Sequence, residues 1–285
     1  MGAELVERIP SMGSVYAKAV KTLGRKGRNP VLPSTVLVHR AAAADPGGLD
    51  AFRRAVGAPA NGVLPSLYVH SLAFPLAMSL MLRGDFPLPL LGMIHLRNQV
   101  SVHRPLAEDE AFDVEVSSEN LGVHPKGAAF DLVVRIMADG QQRMELRSTF
   151  LAKGVKLEGA VPEKSVHAAF EPPQRTASWK LDAGTGRRWA AVAGDYNPIH
   201  LSALSARALG MPRAIAHGIY LAARALSGIE PAAGGYRWSI EFKTPVVLPA
   251  SVDLAFTRTE GGFEVVAWSP RKGKPHFELA LETQA

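Results

Sequence analysis

A duplication constrains this chain more than any other feature. NQVSVHRPLAEDEAFDVEV (98–116) and IEFKTPVVLPASVDLAF (240–256) each read as a β-rich run, a Pro-containing turn and a second alternating run. Setting Val100 against Phe242 gives an offset of 142 residues. Upstream of each lies an apolar helix candidate, LPSLYVHSLAFPLAMSLMLR (64–83) and AIAHGIYLAARALSGI (214–229). Setting His70 against His217 gives an offset of 147, five more than the strands, which is the size of a loop insertion. An apolar helix must be covered, and alternating strands present one apolar face with which to cover it. Repeated at about half the chain length, the pattern predicts an α+β chain of two units, each a sheet wrapping a mostly buried helix, packed on one another.

The boundaries follow from composition. AKGVKLEGAVPEKSVHAAFEPPQRTA (152–177) is rich in charge, Gly and Pro and reads as a linker. The units are then 30–151 and 178–285, preceded by a lead-in at 1–29. That lead-in carries Lys18, Lys21, Arg25, Lys26 and Arg28, but Glu4, Glu7 and the lack of an apolar run argue against a secretory signal, so it reads as an amphipathic segment. The most apolar stretch, FPLPLLGMIHL (86–96), is short and broken by Pro87 and Pro89, and no membrane span is expected. With no Cys, the chain has no disulfide, thiolate metal site or Cys nucleophile; a reducing compartment is compatible, and the cytoplasm is the expected location. A formal charge of +6 favours an anionic ligand: nucleic acid, a membrane surface or a phosphate-bearing molecule.

Chemistry concentrates in AAVAGDYNPIH (190–200). Asn197 and Pro198 suit the start of a helix, where an Asn side chain accepts an orphan backbone N–H and Pro tolerates the first position. Capping leaves Asp195 and His200 unexplained, and a carboxylate beside an imidazole is a common means of moving protons near neutral pH. The counterpart in the first half, AAAADPGGLDAFRRAVG (41–57), has an Asp but neither the Asn-Pro pair nor a nearby His. DAGTGRR (182–188) resembles a dinucleotide loop but lacks its third Gly and a surrounding strand-to-helix unit, and reads as a turn. No G-x-S-x-G elbow is present, and the nine His show no metal-ligand spacing, so no metal is expected.

RWAAVAGDYNPIHLSALSA (188–206) resembles the signature of the R-specific enoyl-CoA hydratases, the MaoC-like dehydratases of the hotdog superfamily. Gly194, Asp195, Asn197, Pro198, Ile199, His200 and Ala206 match position by position. Trp189 stands where Tyr or Phe is usual, and Ala193 where Ser, Thr or Gly is common. With the duplication, the resemblance extends to double-hotdog members, whose N-terminal hotdog has lost the motif. It implies an intrachain pseudo-dimer, each sheet wrapping a long central helix. It also implies reversible hydration of a trans-2-enoyl thioester of coenzyme A or acyl carrier protein to the (R)-3-hydroxyacyl thioester, in fatty-acid metabolism.

In that chemistry water attacks C3, a proton reaches C2 and the thioester oxygen carries enolate charge. Asp195 and His200 are expected to hold and polarise the water, and Gly218, 18 residues after His200, to give its backbone N–H to the oxygen at the start of the apolar helix. Gly194, Asn197 and Pro198 support the loop. Lys243 is the first candidate for coenzyme A contact, ahead of Arg258, Arg271 and Lys272; Tyr196 and His217 are further substrate candidates. No cofactor is implied, since coenzyme A belongs to the substrate. Neither nucleic acid nor membrane is an implied partner, and a homodimer is an allowed assembly. The rival readings are a hotdog thioesterase, directing water at the carbonyl carbon, and a non-catalytic acyl-thioester binding module. Pro75 within the first apolar helix predicts a bend with room for an acyl tail.

Overall fold

The computed structural model describes residues 2–22, 25, 30–160 and 169–284. Lys26 and Arg28 of the lead-in, and 161–168 of the linker, fall outside them. The strands are β1 (Ala3–Leu5), β2 (Val36–Ala42), β3 (Ile94–Val102), β4 (Phe112–His124), β5 (Gly127–Ala138), β6 (Gln141–Lys153), β7 (Ala177–Leu181), β8 (Tyr236–Phe242), β9 (Ala250–Thr259), β10 (Gly262–Trp268) and β11 (Pro275–Thr283). The α-helices are α1 (Met12–Ala19), α2 (Pro46–Val56), α3 (Ser66–Leu82), α4 (Thr185–Ala193), α5 (Ala203–Ala208) and α6 (Gly218–Leu226).

The strands form one sheet of 11 in the order β1-β2-β4-β5-β6-β3-β8-β11-β10-β9-β7. Leaving β1 aside, the order β2-β4-β5-β6-β3 is repeated in reverse as β8-β11-β10-β9-β7, so the two half-sheets meet edge to edge at β3 and β8. These two strands are antiparallel, with Asn98 opposite Ile240, and 240 is 98 plus the strand offset of 142. That pair therefore marks the pseudo-two-fold axis. Joining the halves removes two edges that would otherwise expose unpaired backbone groups.

Alternation in the strands and apolarity in the helices explain the wrapping. In β5, Ala128, Phe130, Leu132, Val134, Ile136 and Ala138 are buried, while Asp131 and Arg135 lie on the other face. α3 has no acidic or basic residue in its terminal turns and buries residues on all sides, including Leu67, Ala73, Leu76 and Leu80. Pro75 lies inside this 17-residue helix. α6 is 9 residues long and buries Tyr220, Leu221, Ala222, Ala225 and Leu226. One cluster of buried side chains runs from Met12 to Leu281, so the halves share a core.

The sequence places the second central helix at 214–229, yet it spans only Gly218–Leu226. Residues before it are extended: Ile215 bridges Val247, and the Ala216 N–H donates to the Val246 carbonyl at 2.9 Å. The alignment of His70 with His217 is accordingly corrected. The helices begin at Ser66 and Gly218, so His70 is the fifth residue of α3 whereas His217 precedes α6 as its cap.

The lead-in is built into the fold. β1 pairs in parallel with β2, and α1 buries Met12, Val15 and Ala19. Arg25 donates to the carbonyls of Met81 and Leu82 at 2.9 and 3.2 Å, supplying partners and positive charge at the C-terminal end of α3. Trp189 is buried between Phe52 and Tyr220, with centroid separations of 5.5 and 5.4 Å, so it ties α4 to α2 and α6. Among the described residues, no helix is long and apolar enough to cross a membrane.

Candidate active site

The motif forms a corner between α4 and α6. α4 ends at Gly194, whose φ of 73° is left-handed and favours a residue without Cβ. The chain then turns through Asp195 and Tyr196. Asn197 caps a single 3-10 turn, Pro198–His200, by accepting the Ile199 N–H at 3.3 Å. DAGTGRR is a turn, but it does join a strand to a helix, contrary to the sequence expectation: β7 ends at Leu181, Asp182 accepts the Gly184 N–H at 2.8 Å and α4 starts at Thr185. Its Gly186 is required by close approach, since a Cβ there would lie 2.1 Å from the His200 carbonyl oxygen. The turn thus sets the position of His200.

Backbone carbonyls fix both imidazoles. A carbonyl can only accept, so His200 Nδ1, 2.8 Å from the Ile215 oxygen, carries the proton and leaves Nε2 with a lone pair. By the same reasoning His217 Nε2–H donates to the Asp195 backbone carbonyl at 2.9 Å, leaving Nδ1 buried without a partner among the described residues. The two rings stack with centroids 3.6 Å apart and planes 27° apart. His217 is buried and supports the corner from behind.

Asp195 Oδ1 accepts from the Asn197 N–H at 3.2 Å and from the Tyr16 hydroxyl of α1; Oδ2 lies 3.8 Å from His217 Nε2. Burial pushes the carboxyl up, but His217, His200, the Tyr16 hydroxyl and the Asn197 N–H together hold it below its ordinary value. Burial depresses His200 more than Asp195 and the Ile215 carbonyl raise it. Burial, then His200, bring His217 down to about 3. Near neutral pH the corner therefore contains a carboxylate and two neutral imidazoles. Donor atoms of Asp195, His200 and His217 lie within 4.8 Å of one another. Stacked rings, however, keep their lone pairs in nearly parallel planes, which does not converge on one ion at the roughly 2 Å of a metal–nitrogen bond.

Gly218 is the first residue of α6, and its N–H meets no acceptor among the described residues. The Phe242 ring lies 2.8 Å from where its Cβ would stand, so a side chain there would displace the ring or the helix entry. Of the other candidates, Tyr196 is 46% exposed beside the corner. Lys243 Nζ is engaged by Glu241 and Glu278 at 2.6 and 3.2 Å, so a phosphate would compete with two carboxylates for it. Arg258 stacks over Phe263 at 5.9 Å, and Arg271 and Lys272 lie in the turn between β10 and β11.

Sequence reading missed Tyr16, which lies 179 residues from Asp195. It also missed His70, which burial brings to about 4 against the opposing charge of Asp195, and His95, which burial and then His70 bring to about 3 against the Arg97 backbone and Asp195.

An acid–imidazole corner at the start of one central helix, within two fused helix-wrapping half-sheets, defines a double-hotdog protein with one motif-bearing half. A MaoC-like domain is recognised over residues 165–267, which takes in the motif and all of that half except its last strand, β11. The chain is 32% identical over 255 residues, 89% of its length and 91% of the relative's, to 3-hydroxyacyl-thioester dehydratase X of Mycobacterium tuberculosis. The crystal structure of HtdX from Mycobacterium tuberculosis matches with a TM-score of 0.77 and 31% identity, over 87% of this chain and 100% of that one. The chain belongs to the MaoC-like dehydratase family. A MaoC-like dehydratase from Phytophthora capsici shares the fold at 16% identity, TM-score 0.69, over 90% of this chain and 97% of that one. So does an acyl-ACP thioesterase from Bacteroides thetaiotaomicron at 13% identity, TM-score 0.56, over 87% and 98%. Fold alone thus does not separate hydration from thioester hydrolysis; the site must.

Proposed function

We propose that this chain is a hydro-lyase that reversibly hydrates trans-2-enoyl thioesters of coenzyme A or acyl carrier protein to (R)-3-hydroxyacyl thioesters. The observation that carries the reading is the corner itself: an ionised Asp195 and a neutral His200 whose Nε2 lone pair, like the N–H of Gly218, has no partner among the described residues. Water held by Asp195 and His200 gives up a proton to the pair as its oxygen bonds to C3. The C2–C3 π electrons shift toward the thioester oxygen, where the Gly218 N–H and the α6 dipole stabilise the enolate; such a donor is worth about 3 to 4 kcal/mol. The pair then returns one proton to C2, and the thioester carbonyl re-forms. Protons balance, so no cofactor is required, and the reverse sequence is dehydration. The (R) product is the outcome the family relationship favours.

Both hotdogs come from one chain, so a homodimer would duplicate the site rather than complete it. A cytoplasmic location accords with the absence of Cys. The test is incubation with crotonyl-CoA. Loss of the ultraviolet absorbance of the conjugated enoyl thioester without thiol release, with chiral analysis giving the (R) alcohol, is expected. Thiol release would make the chain a thioesterase, an (S) product would overturn the stereochemistry, and absence of change would leave a binding module.

A further inference from the structure

We propose that Tyr16, on the N-terminal helix α1, is a positioning residue for the hydration reaction: its hydroxyl holds Asp195 Oδ1 so that Oδ2 is presented to the water. This rests on the hydratase reading and adds to it a residue from outside both the motif and the motif-bearing half. α1 is docked by buried Met12, Val15 and Ala19, and Met12 Cγ stands 3.4 Å from where a Cβ on Gly194 would be, directly over the corner that delivers Asp195. Tyr16 is half-buried there and donates its hydroxyl proton to Oδ1, the oxygen that also takes the Asn197 N–H at 3.2 Å. With two fixed donors on one oxygen, rotation of the carboxylate would break both bonds. Oδ2 is then the oxygen left for the water.

The groups facing Asp195 define what the hydroxyl does electrically. They are His200 and Asn197 from its own loop, His217 at the start of α6, His70 from α3, His95 from β3 and Tyr16 from α1. Burial keeps the four imidazoles in their neutral form near neutral pH. Beside His217 and His200, which lower the Asp195 carboxyl most, the groups that stabilise its negative charge are the Tyr16 hydroxyl and the Asn197 N–H, which do so by direct hydrogen bonds. Burial first, then the neighbouring carboxylate, raises the Tyr16 hydroxyl pKa, so it stays protonated and acts as a donor throughout the working range.

Tyr16→Phe removes one oxygen and keeps the ring that packs α1. A hydrogen bond to a charged group is typically strong, so kcat for crotonyl-CoA is expected to fall roughly tenfold, with KM within about twofold. The acid limb of the rate profile should move up by about one pH unit, because the carboxylate has lost a donor. Val15→Ala is the control for docking: it should lower the melting temperature while leaving the acid limb in place. A direct readout that needs no turnover is carbon-13 NMR titration of the Asp195 carboxyl, with an upward shift expected in Tyr16→Phe. It separates this inference from the functional one, since an inactive wild type would defeat hydration yet leave the titration readable. An unmoved titration, an unmoved acid limb, a limb shift reproduced by Val15→Ala, or faster turnover in Tyr16→Phe would each overturn the proposal.

Discussion

The two hotdogs treat the start of the central helix in opposite ways. In the C-terminal half, α6 opens with Gly218, whose N–H meets no acceptor among the described residues and whose lack of Cβ makes room for Phe242. In the N-terminal half, α3 opens with Ser66, whose N–H donates to the half-buried Glu230 carboxyl at 2.9 Å. Glu230 follows α6, so the second half caps the helix of the first. The same carboxyl accepts from Tyr236 at 2.8 Å, and Trp238 Nε1 donates to Ser66 Oγ at 3.0 Å. One helix start is closed by an acid from the other half; the other, on the proposed mechanism, faces the thioester oxygen. A duplicated fold can thus separate chemistry from support by changing what meets a few backbone N–H groups.

Breaking the catalytic half should have the largest effect. Asp195→Asn and His200→Gln are each expected to lower crotonyl-CoA hydration at least about 100-fold while the protein stays folded by circular dichroism. Gly218→Ala comes next. Overlap with Phe242 shifts the helix entry and misplaces the N–H, so kcat should fall roughly 10- to 100-fold with KM less affected.

Changes in the N-terminal half should alter selectivity or stability instead. Ala73 is fully buried in α3, two residues before Pro75. If Pro75 bends the helix and makes room for an acyl tail, Ala73→Trp should depress activity on long-chain enoyl-CoA about tenfold more than on crotonyl-CoA. Equal losses in a folded variant would make this half a scaffold only.

Glu230→Ala leaves the Ser66 N–H and Tyr236 hydroxyl without their acceptor and should cost about 1–3 kcal/mol by chemical denaturation, with turnover per folded molecule unchanged. Burial raises the Glu230 carboxyl above the ordinary glutamate value of 4.5, against its hydrogen bonds from Ser66 and Tyr236. The stability it contributes is therefore full below that value and lost as pH rises through its raised folded value. Glu230→Gln, which imitates the neutral form, should lose that slope.

Much of this comparison was legible in the sequence because it rests on local patterns. Alternating strands and an apolar helix repeated at a near-constant offset specify the double hotdog, and the spacing from Gly194 to His200 specifies the corner. The joining of the half-sheets at β3 and β8 was not legible, since alternation shows which side chains face inward but not which edge finds a partner. His217 looked like a substrate contact, but its bond to the Asp195 carbonyl depends on extended pairing of 214–216 that an apolar run does not reveal. Tyr16 carried a faint signal. Met12, Val15, Tyr16 and Ala19 fall at helical spacing and predict a docked face, but nothing local says that the face reaches a carboxylate 179 residues away.

The central claim is that Asp195 and His200 act as one unit, within the C-terminal half, on a single water. A double-mutant cycle on crotonyl-CoA hydration tests it most directly, comparing Asp195→Asn, His200→Gln and the double variant with wild type. A shared water predicts that the double variant loses little more than the worse single variant, because either change alone already releases the water. Losses that multiply would mean that the two residues serve separate steps, contradicting the single-water site.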